Sequence, residues 1–213
     1  MATVADRVAD WAAGAEPTPA ELDLADDALV DTLSVIVAAG RAGLHVGAPV
    51  LGAAGAASAL AHVLDFDDLH LPSTAHISAV CLPVALACGG NARAFLVGSG
   101  VMARLGTALG WAHYRAGWHA TCTAGAPAAA VTAAVARGLD ARGIATAMAL
   151  AVPAAGGVQR AFGTSAKPLQ VGFAADAGVR AADLAALGAS ADPAALDAWL
   201  ELVGGDPAAL SAA

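Results

Sequence analysis

Apolar residues recur at helical spacing through most of the chain, and the alternation that marks a half-buried strand is scarce. Good helix formers fill these stretches, and Gly, Pro and Asp punctuate them. The clearest case follows Pro17-Thr18-Pro19: from Glu21 to Asp31 the apolar positions keep helical spacing while acids crowd the first turns, which suits the helix dipole. That helix is expected to run to about Gly40. Further helices are expected at 3–14, 51–63, 77–89, 91–109, 121–137, 140–154, 170–186 and 193–203, with Gly138 and Gly188 as terminators. The fold class is therefore all-α, an alanine-rich multi-helix bundle.

Segments 126–136 and 143–155 carry alanine on nearly every side. A helix that is apolar all round must be surrounded. One domain of this size is not expected to enclose them all, so a sizeable subunit interface and a homodimer are expected. No repeat, linker or boundary divides residues 1–213, which read as one domain, with 204–213 a frayed tail or an end cap.

Composition narrows the function. Of the 213 residues 63 are alanine, so the hydrophobic share of 58% overstates the apolar driving force. The net charge of −8 argues against nucleic acid as a partner. The uncharged windows 42–64 and 116–136 approach the ~20 apolar residues of a membrane span. The first, however, holds His45, Pro49 and four glycines, the second holds His119, Thr121, Thr123, Gly125 and Pro127, and neither has flanking positive charge. No membrane span is expected. The first residues lack the pattern of a signal peptide, and Cys81, Cys88 and Cys122 form neither a CxxC pair nor an even disulfide set, so a cytoplasmic protein with reduced cysteines is expected.

The few polar residues gather in three clusters. The first runs from His62 through Asp65, Asp67, Asp68 and His70 to His76, three acids and three histidines between two apolar helices. Asp67 and Asp68 could simply cap helices on a solvated loop. The same residue types suit a divalent metal, although no HExxH-like spacing supports one. The second cluster holds His113, Tyr114, Trp118, His119, Thr121 and Thr123 ahead of an alanine-rich helix. Thr121 or Thr123 could cap that helix, whose free N–H groups would seat a carboxylate beside His119; alternatively, His119 packs on Trp118 ahead of the cap. The third cluster runs from Gln159-Arg160 to Lys167-Pro168-Leu169-Gln170, in a small-residue loop before a helix. Lys167 is the sole lysine beside nine arginines. An ammonium can sit against a carboxylate or donate a proton, which a guanidinium cannot do, although one surface lysine can also survive by chance.

At these clusters the chain resembles the MmgE/PrpD family, which includes 2-methylcitrate dehydratase, cis-aconitate decarboxylase and iminodisuccinate epimerase. Ala61-His-Val-Leu-Asp65-Phe-Asp-Asp-Leu69-His70, leading through His76-Ile77-Ser78 to Leu82-Pro83, is similar to that family's Ala-His-x-Leu-Asp-Phe-Asp-Asp-Thr-His motif, His-Pro-Ser step and Leu-Pro helix. Gly117-Trp118-His119-Ala120-Thr121 resembles its Gly-Phe-His-x-Thr segment, and Lys167-Pro168-Leu169-Gln170-Val171-Gly172 its Lys-Pro-Leu-His-x-Gly step. Asp31-Thr32-Leu33 and Ala103-Arg104-Leu105-Gly106 stand in the matching order. Leu69, Ile77 and Gln170 depart from the pattern, replacing a hydroxyl residue, a proline and a histidine.

The resemblance implies an all-α domain with catalytic Asp65, His76, His119 and Lys167, substrate contacts at His70, Thr121, Arg160 and Gln170, and no metal or organic cofactor. It also implies that the relatives' second, smaller domain, which closes over the site, has no counterpart here. The implied activity is a dehydratase, decarboxylase or epimerase working by proton transfer next to a carboxylate of a small di- or tricarboxylic acid. Lys167 and N–H groups near Thr121 would hold carboxylates, His76 or His119 would move the proton, Asp65 would orient an imidazole, and the local field would be positive. A dimer partner or a separate chain would supply the lid. The alternatives are a non-catalytic or partner-completed binding subunit, and a metal-dependent hydrolase built on the Asp/His cluster.

Overall fold

The computed structural model describes residues 2–44 and 50–210, so His45, Pro49 and residues 211–213 lie outside the described residues. Among the described residues ten α-helices follow one another: α1 (Val4–Gly14), α2 (Pro19–Arg41), α3 (Ala53–His62), α4 (Ser78–Ala87), α5 (Ala92–Arg115), α6 (Ala120–Thr123), α7 (Gly125–Ala136), α8 (Ala141–Ala151), α9 (Ala166–Ala186) and α10 (Ala195–Leu202). Among the described residues the only strand-like pairing is two isolated antiparallel bridges, and no helix is long and apolar enough to cross a membrane.

Local chemistry explains the helix ends. Thr3 with Asp6 and Thr18 with Glu21 form reciprocal capping boxes at α1 and α2, each satisfying two otherwise orphaned N–H groups. Gly138 and Gly188 terminate α7 and α9 at positive φ. The N–H groups of Gly138 and Leu139 reach back to Val135 and Ala134, and those of Gly188 and Ala189 to Ala185 and Leu184. Among the described residues of the expected tail, Pro207–Leu210 forms a 3-10 turn in which Leu210 is buried, and Asp206 N donates to the Ala108 carbonyl.

Three expectations need correction. The helix expected to stop at residue 109 resumes after a one-residue break at Gly110 (φ 62°, ψ −173°) and carries His113 and Tyr114 on to Arg115. Lys167 lies not in a loop but in the first turn of α9, which starts four residues before the expected boundary. Pro168 is tolerated there because first-turn N–H groups lack intrahelical partners in any case. Thr121 and Thr123 do not cap the alanine-rich helix: both lie inside the short α6, and α7 starts after Ala124 without a side-chain cap.

Helix α7 is buried from Gly125 to Val135 and is wrapped by α1, α4, α5, α8 and α9 of its own chain. It therefore needs no partner subunit. Small residues make this enclosure possible. A Cβ at Gly178 of α9 would fall 2.4 Å from Ala129 Cβ and 2.6 Å from Ala130 N, and one at Gly98 of α5 would fall 1.8 Å from Thr132 Oγ1. On the other flank of α9, a Cβ at Gly172 would fall 2.6 Å from the Gly55 carbonyl of α3. Asp176 of α9 reaches over the start of α3, where its two carboxylate oxygens accept from Gly52 N (2.8 Å) and Gly55 N (2.9 Å). This is an N-cap supplied by a neighbouring helix, worth about 1 kcal/mol as caps go.

An unpartnered apolar stripe lies on α2 instead. Its Ala25, Thr32, Val35 and Ala39 are buried, while Val30, Leu33 and Val37 are exposed at the three- and four-residue spacing of a single stripe.

The Gly178→Val variant is expected to lose about 1–3 kcal/mol in urea unfolding because α7 and α9 must separate. Gly156→Ala, with nothing within 4 Å of the added methyl, is expected to unfold like the parent. Equal midpoints for Gly178→Val and the parent would contradict this packing.

Candidate active site

The loop from Val63 to Ile77 leaves the end of α3 and turns back to the start of α4. Asp68 anchors its far end, accepting from Ser78 N (3.0 Å) and Ser78 Oγ (2.8 Å), and so caps α4. Asp65 stands at φ 59°, a left-handed conformation that an acid tolerates better than most residues, and Thr74 stands at φ 53°. Backbone strain of this kind gathers where the surrounding structure demands a particular side-chain direction.

Asp67 turns inward. Its Oδ2 lies 2.7 Å from His62 Nδ1, and since a carboxylate can only accept, that nitrogen carries the proton. His76 Nδ1 lies 3.2 Å from the same oxygen in a contact too poorly aligned to be a hydrogen bond. His76 Nε2 lies 3.8 Å from Asp65 Oδ1, and Asp65 in turn accepts from the Lys167 ammonium. The result is a chain in which acidic and basic groups alternate: Asp67, His76, Asp65, Lys167. The His62 ring packs edge-on against His76, with centroids 4.7 Å apart, and lies 5.4 Å from His119.

His119 arrives from a different direction. It precedes α6, where a bridge between Trp118 and Val158 holds the chain against residues 157–159: His119 N donates to Gly157 O (3.0 Å) and Gln159 N to Gly117 O (2.8 Å). Asp65, His76, His119 and Lys167 line one cavity of about 360 Å³, walled by Leu69, Leu71 and Thr74 from the loop and by Trp111, Tyr114 and Phe162. Phe162 lies edge-on to His119 at 4.9 Å and 5.2 Å below the Lys167 ammonium. A larger depression, about 840 Å³, opens between α1, α8 and the end of α9, but its charged lining is Asp6, Asp10, Asp140 and Arg142, without imidazole or lysine.

The environments push the titrating groups apart. Burial alone would raise Asp67, but His62 and His76 outweigh it and hold the carboxyl far below the usual range. Burial likewise works to raise Asp65, and Lys167 overrides it, so Asp65 is also ionised. Burial works to lower His76, yet Asp67, and then Asp65, raise its pKa above the ordinary imidazole value. His119 goes the other way: burial first, then the nearby His62, Lys167 and His76, press it down to about 3, so it is neutral at physiological pH. The expected positive field is thus only partly present, because Lys167 and His76 face an ionised Asp65 in the same cavity.

Lys167, His76, His119 and Asp65, distant along the chain, therefore meet. The other four sequence candidates do not reach the cavity lining. His70 faces a separate depression with Arg104 and Leu210 and bonds to Ser73 Oγ (2.8 Å). Arg160 is exposed on a 3-10 turn. Thr121 is fully buried, and its hydroxyl accepts from His76 N (3.1 Å), tying the first cluster to the second. Beside it, the N–H groups of Cys122 and Thr123 are spent on the His119 carbonyl. Gln170 stands behind His119. His113 is a packing residue, stacked on Trp118 and bonded to Val203 O and Thr123 Oγ1. Sequence reasoning passed over His62 and Asp67 as members of the site, as well as Trp111, Tyr114 and Phe162. The aromatics carried a usable signal: in a chain with four Phe, four Trp and one Tyr, these three fall in or beside the polar clusters.

His62, Asp65, Asp67 and His76 each offer a ligand atom within 4.8 Å of the others, a geometry that could also hold a metal ion. No curated protein matches the chain. The family model described as the MmgE/PrpD N-terminal domain matches residues 33–200, from within α2 into α10, a span that contains every side chain of the cavity. The chain belongs to the MmgE/PrpD family, through its N-terminal domain.

Proposed function

We propose that the chain carries the proton-transfer site of a cofactor-independent lyase or isomerase acting on a carbon next to a carboxylate of a small di- or tricarboxylic acid. The family supports a dehydratase- or lyase-like activity. The observation that carries the reading is the convergence of one ammonium, two imidazoles and a strained carboxylate on a single 360 Å³ cavity. The incoming carboxylate takes the Lys167 ammonium from Asp65, whose side chain is more than half exposed and free to swing away. His76, in its neutral form, accepts the proton from the carbon. The electron pair left behind spreads into the carboxylate, where Lys167 stabilises it. Loss of hydroxide from the neighbouring carbon completes dehydration, and return of a proton to the opposite face completes epimerisation; decarboxylation reaches the same kind of carbanion by losing carbon dioxide instead of a proton, and protonated His76 then quenches it. Leu69, where relatives carry a hydroxyl residue, makes that wall apolar and so bears on which acid fits.

The partner proposed is a second copy of this chain, seated on the Val30, Leu33 and Val37 stripe of α2. The cavity mouth needs a cover as well, since Leu69, Leu71 and Trp111 of its lining are all at least half exposed. A second chain or a further domain fits that rim. The three free cysteines fit a reducing, cytoplasmic setting. A metal-dependent hydrolase is the second reading, favoured by the four clustered ligand atoms. Against it, Lys167 already supplies the cation at Asp65.

Lys167→Met is expected to keep the parent's circular dichroism and to lose turnover of citrate-like, aconitate-like or iminodisuccinate-like acids by about 10²-fold or more. Full activity in this variant would overturn the proposal; stoichiometric bound metal with chelator-sensitive hydrolysis would install the metal reading instead.

The acid limb of kcat/KM is expected above pH 6.5, because His76 must lose its proton to act and its pKa is raised. In Asp67→Asn the imidazolium loses its main support, so the limb is expected to move to lower pH. A limb that stays in place would remove His76 as the proton acceptor. For the interface, a Val30→Glu/Val37→Glu double variant is expected to be monomeric by light scattering where the parent is dimeric; a monomeric parent would refute the dimer.

A further inference from the structure

Gln170 was expected to contact substrate, yet it stands on the far side of His119 from the cavity. Its amide can be oriented without ambiguity. Val158 N lies 3.0 Å from one end of it, and since a backbone N–H can only donate, that end is the carbonyl oxygen. The other end is therefore the NH₂ group, and it lies 2.7 Å from His119 Nδ1. An amide NH₂ can only donate as well, so His119 Nδ1 must present its lone pair and the ring proton must sit on Nε2. Gly157 permits this arrangement. At φ 129° it takes a backbone conformation that side chains rarely adopt, and a Cβ there would fall 2.5 Å from Cys122 Cβ.

A second donor guards the same nitrogen. Cys122 Sγ lies 3.2 Å from His119 Nδ1. Burial pushes the Cys122 thiol well above its ordinary pKa, so it remains an S–H group and never a thiolate that could accept. The titratable groups around the ring are Lys167 from α9, His62 from α3, and His76 and Asp65 from the 63–77 loop. Only Asp65 favours a protonated ring, and it lies on the Lys167 ammonium.

We propose that Gln170 is a positioning residue that locks His119 in the Nε2–H tautomer, making it a permanent hydrogen-bond donor to an oxygen of the bound acid and not a base. The oxygen ligand rests on the lyase or isomerase reading above; the tautomer does not. The two imidazoles of the cavity then divide the labour: His76 moves the proton, and His119 donates to the oxygen on which charge builds. A carbonyl or carboxylate oxygen beside the reacting carbon fits this donor, whereas a cationic ammonium group does not.

The test is ¹⁵N-histidine labelling of the whole chain, with long-range ¹H–¹⁵N correlation from pH 5 to 9. In the parent, His119 is expected to show a protonated Nε2 and an unprotonated Nδ1 across the range, with no titration. In Gln170→Glu the new carboxylate can only accept, so the proton is expected to move to Nδ1, with the His119 midpoint rising by about one pH unit or more and kcat falling by about tenfold or more. Gln170→Met, which removes the donor without adding charge, is expected to make Nδ1 protonation detectable. A parent His119 that is Nδ1-protonated, or that titrates near pH 6.5, overturns the proposal, and that reading needs no variant to fold. The expected tautomer with no turnover of any acid would uphold the lock while sinking the enzymatic reading.

Discussion

Nine residues separate Ala53 from His62 along α3, and nine separate Lys167 from Asp176 along α9, about 13.5 Å of helix in each case. Asp176 grips the N–H groups at the start of α3, which fixes the register of the two helices at one end. At the other end the equal spans bring Lys167 opposite the residues that leave α3, where it meets Asp65. This register can be held only if the helices touch backbone to backbone, and Gly55 and Gly172 provide that contact. The site thus depends on a cap more than a dozen ångströms away. Loss of Asp176 would leave two N–H groups without partners, at about 1–3 kcal/mol for a buried donor, and would also let the ammonium slide off the carboxylate.

Within that frame, Asp67 settles which imidazole is basic. It stands between His62 and His76, sealed from water, and its negative charge reaches His76 at 3.2 Å. His119 has no carboxylate of its own; its Nδ1 faces an amide and a thiol. Two rings facing one cavity therefore shift in opposite directions, the usual sign of divided acid and base roles. His62 Nε2 and Asp67 Oδ1 are buried without partners beneath this layer.

Helix content and most helix boundaries were legible because glycine, proline and capping residues act locally. Thr18 with Glu21 and Gly138 with Leu139 complete their motifs within a few residues. What escaped reading depends on tertiary contact. Gly110 has the look of a terminator, yet Trp111 to Arg115 resume the helix after a single residue of break, and this brings Trp111 and Tyr114 to the cavity. The alanine-rich α7 suggested a subunit interface, but spacing alone cannot count how many helices of the same chain will surround it. In the candidate site, scarcity made Lys167 and the histidines conspicuous, and those residues do converge. The side of His119 on which Gln170 would stand, and the inward turn of Asp67 beside the outward-facing Asp65, are set by the left-handed turn at Asp65 and the bridge at Trp118, which no local pattern announces.

Lys167 also violates a local rule, and the violation is informative. The first turns of α1 and α2 contain an acid and a capping box, as the positive end of a helix dipole prefers. The first turn of α9 has neither: its N-cap makes no side-chain bond, it contains no acid, and it places a cation where the dipole already contributes positive potential. Such a placement costs about 0.3–1 kcal/mol, and Asp65 offsets it only from a strained, largely exposed position. Local conflicts of this kind survive where function requires them. An anion entering the cavity would relieve the conflict by giving both the ammonium and the helix end a better partner than Asp65. The energy held in that misplaced charge would then return as affinity for the carboxylate of the proposed substrate.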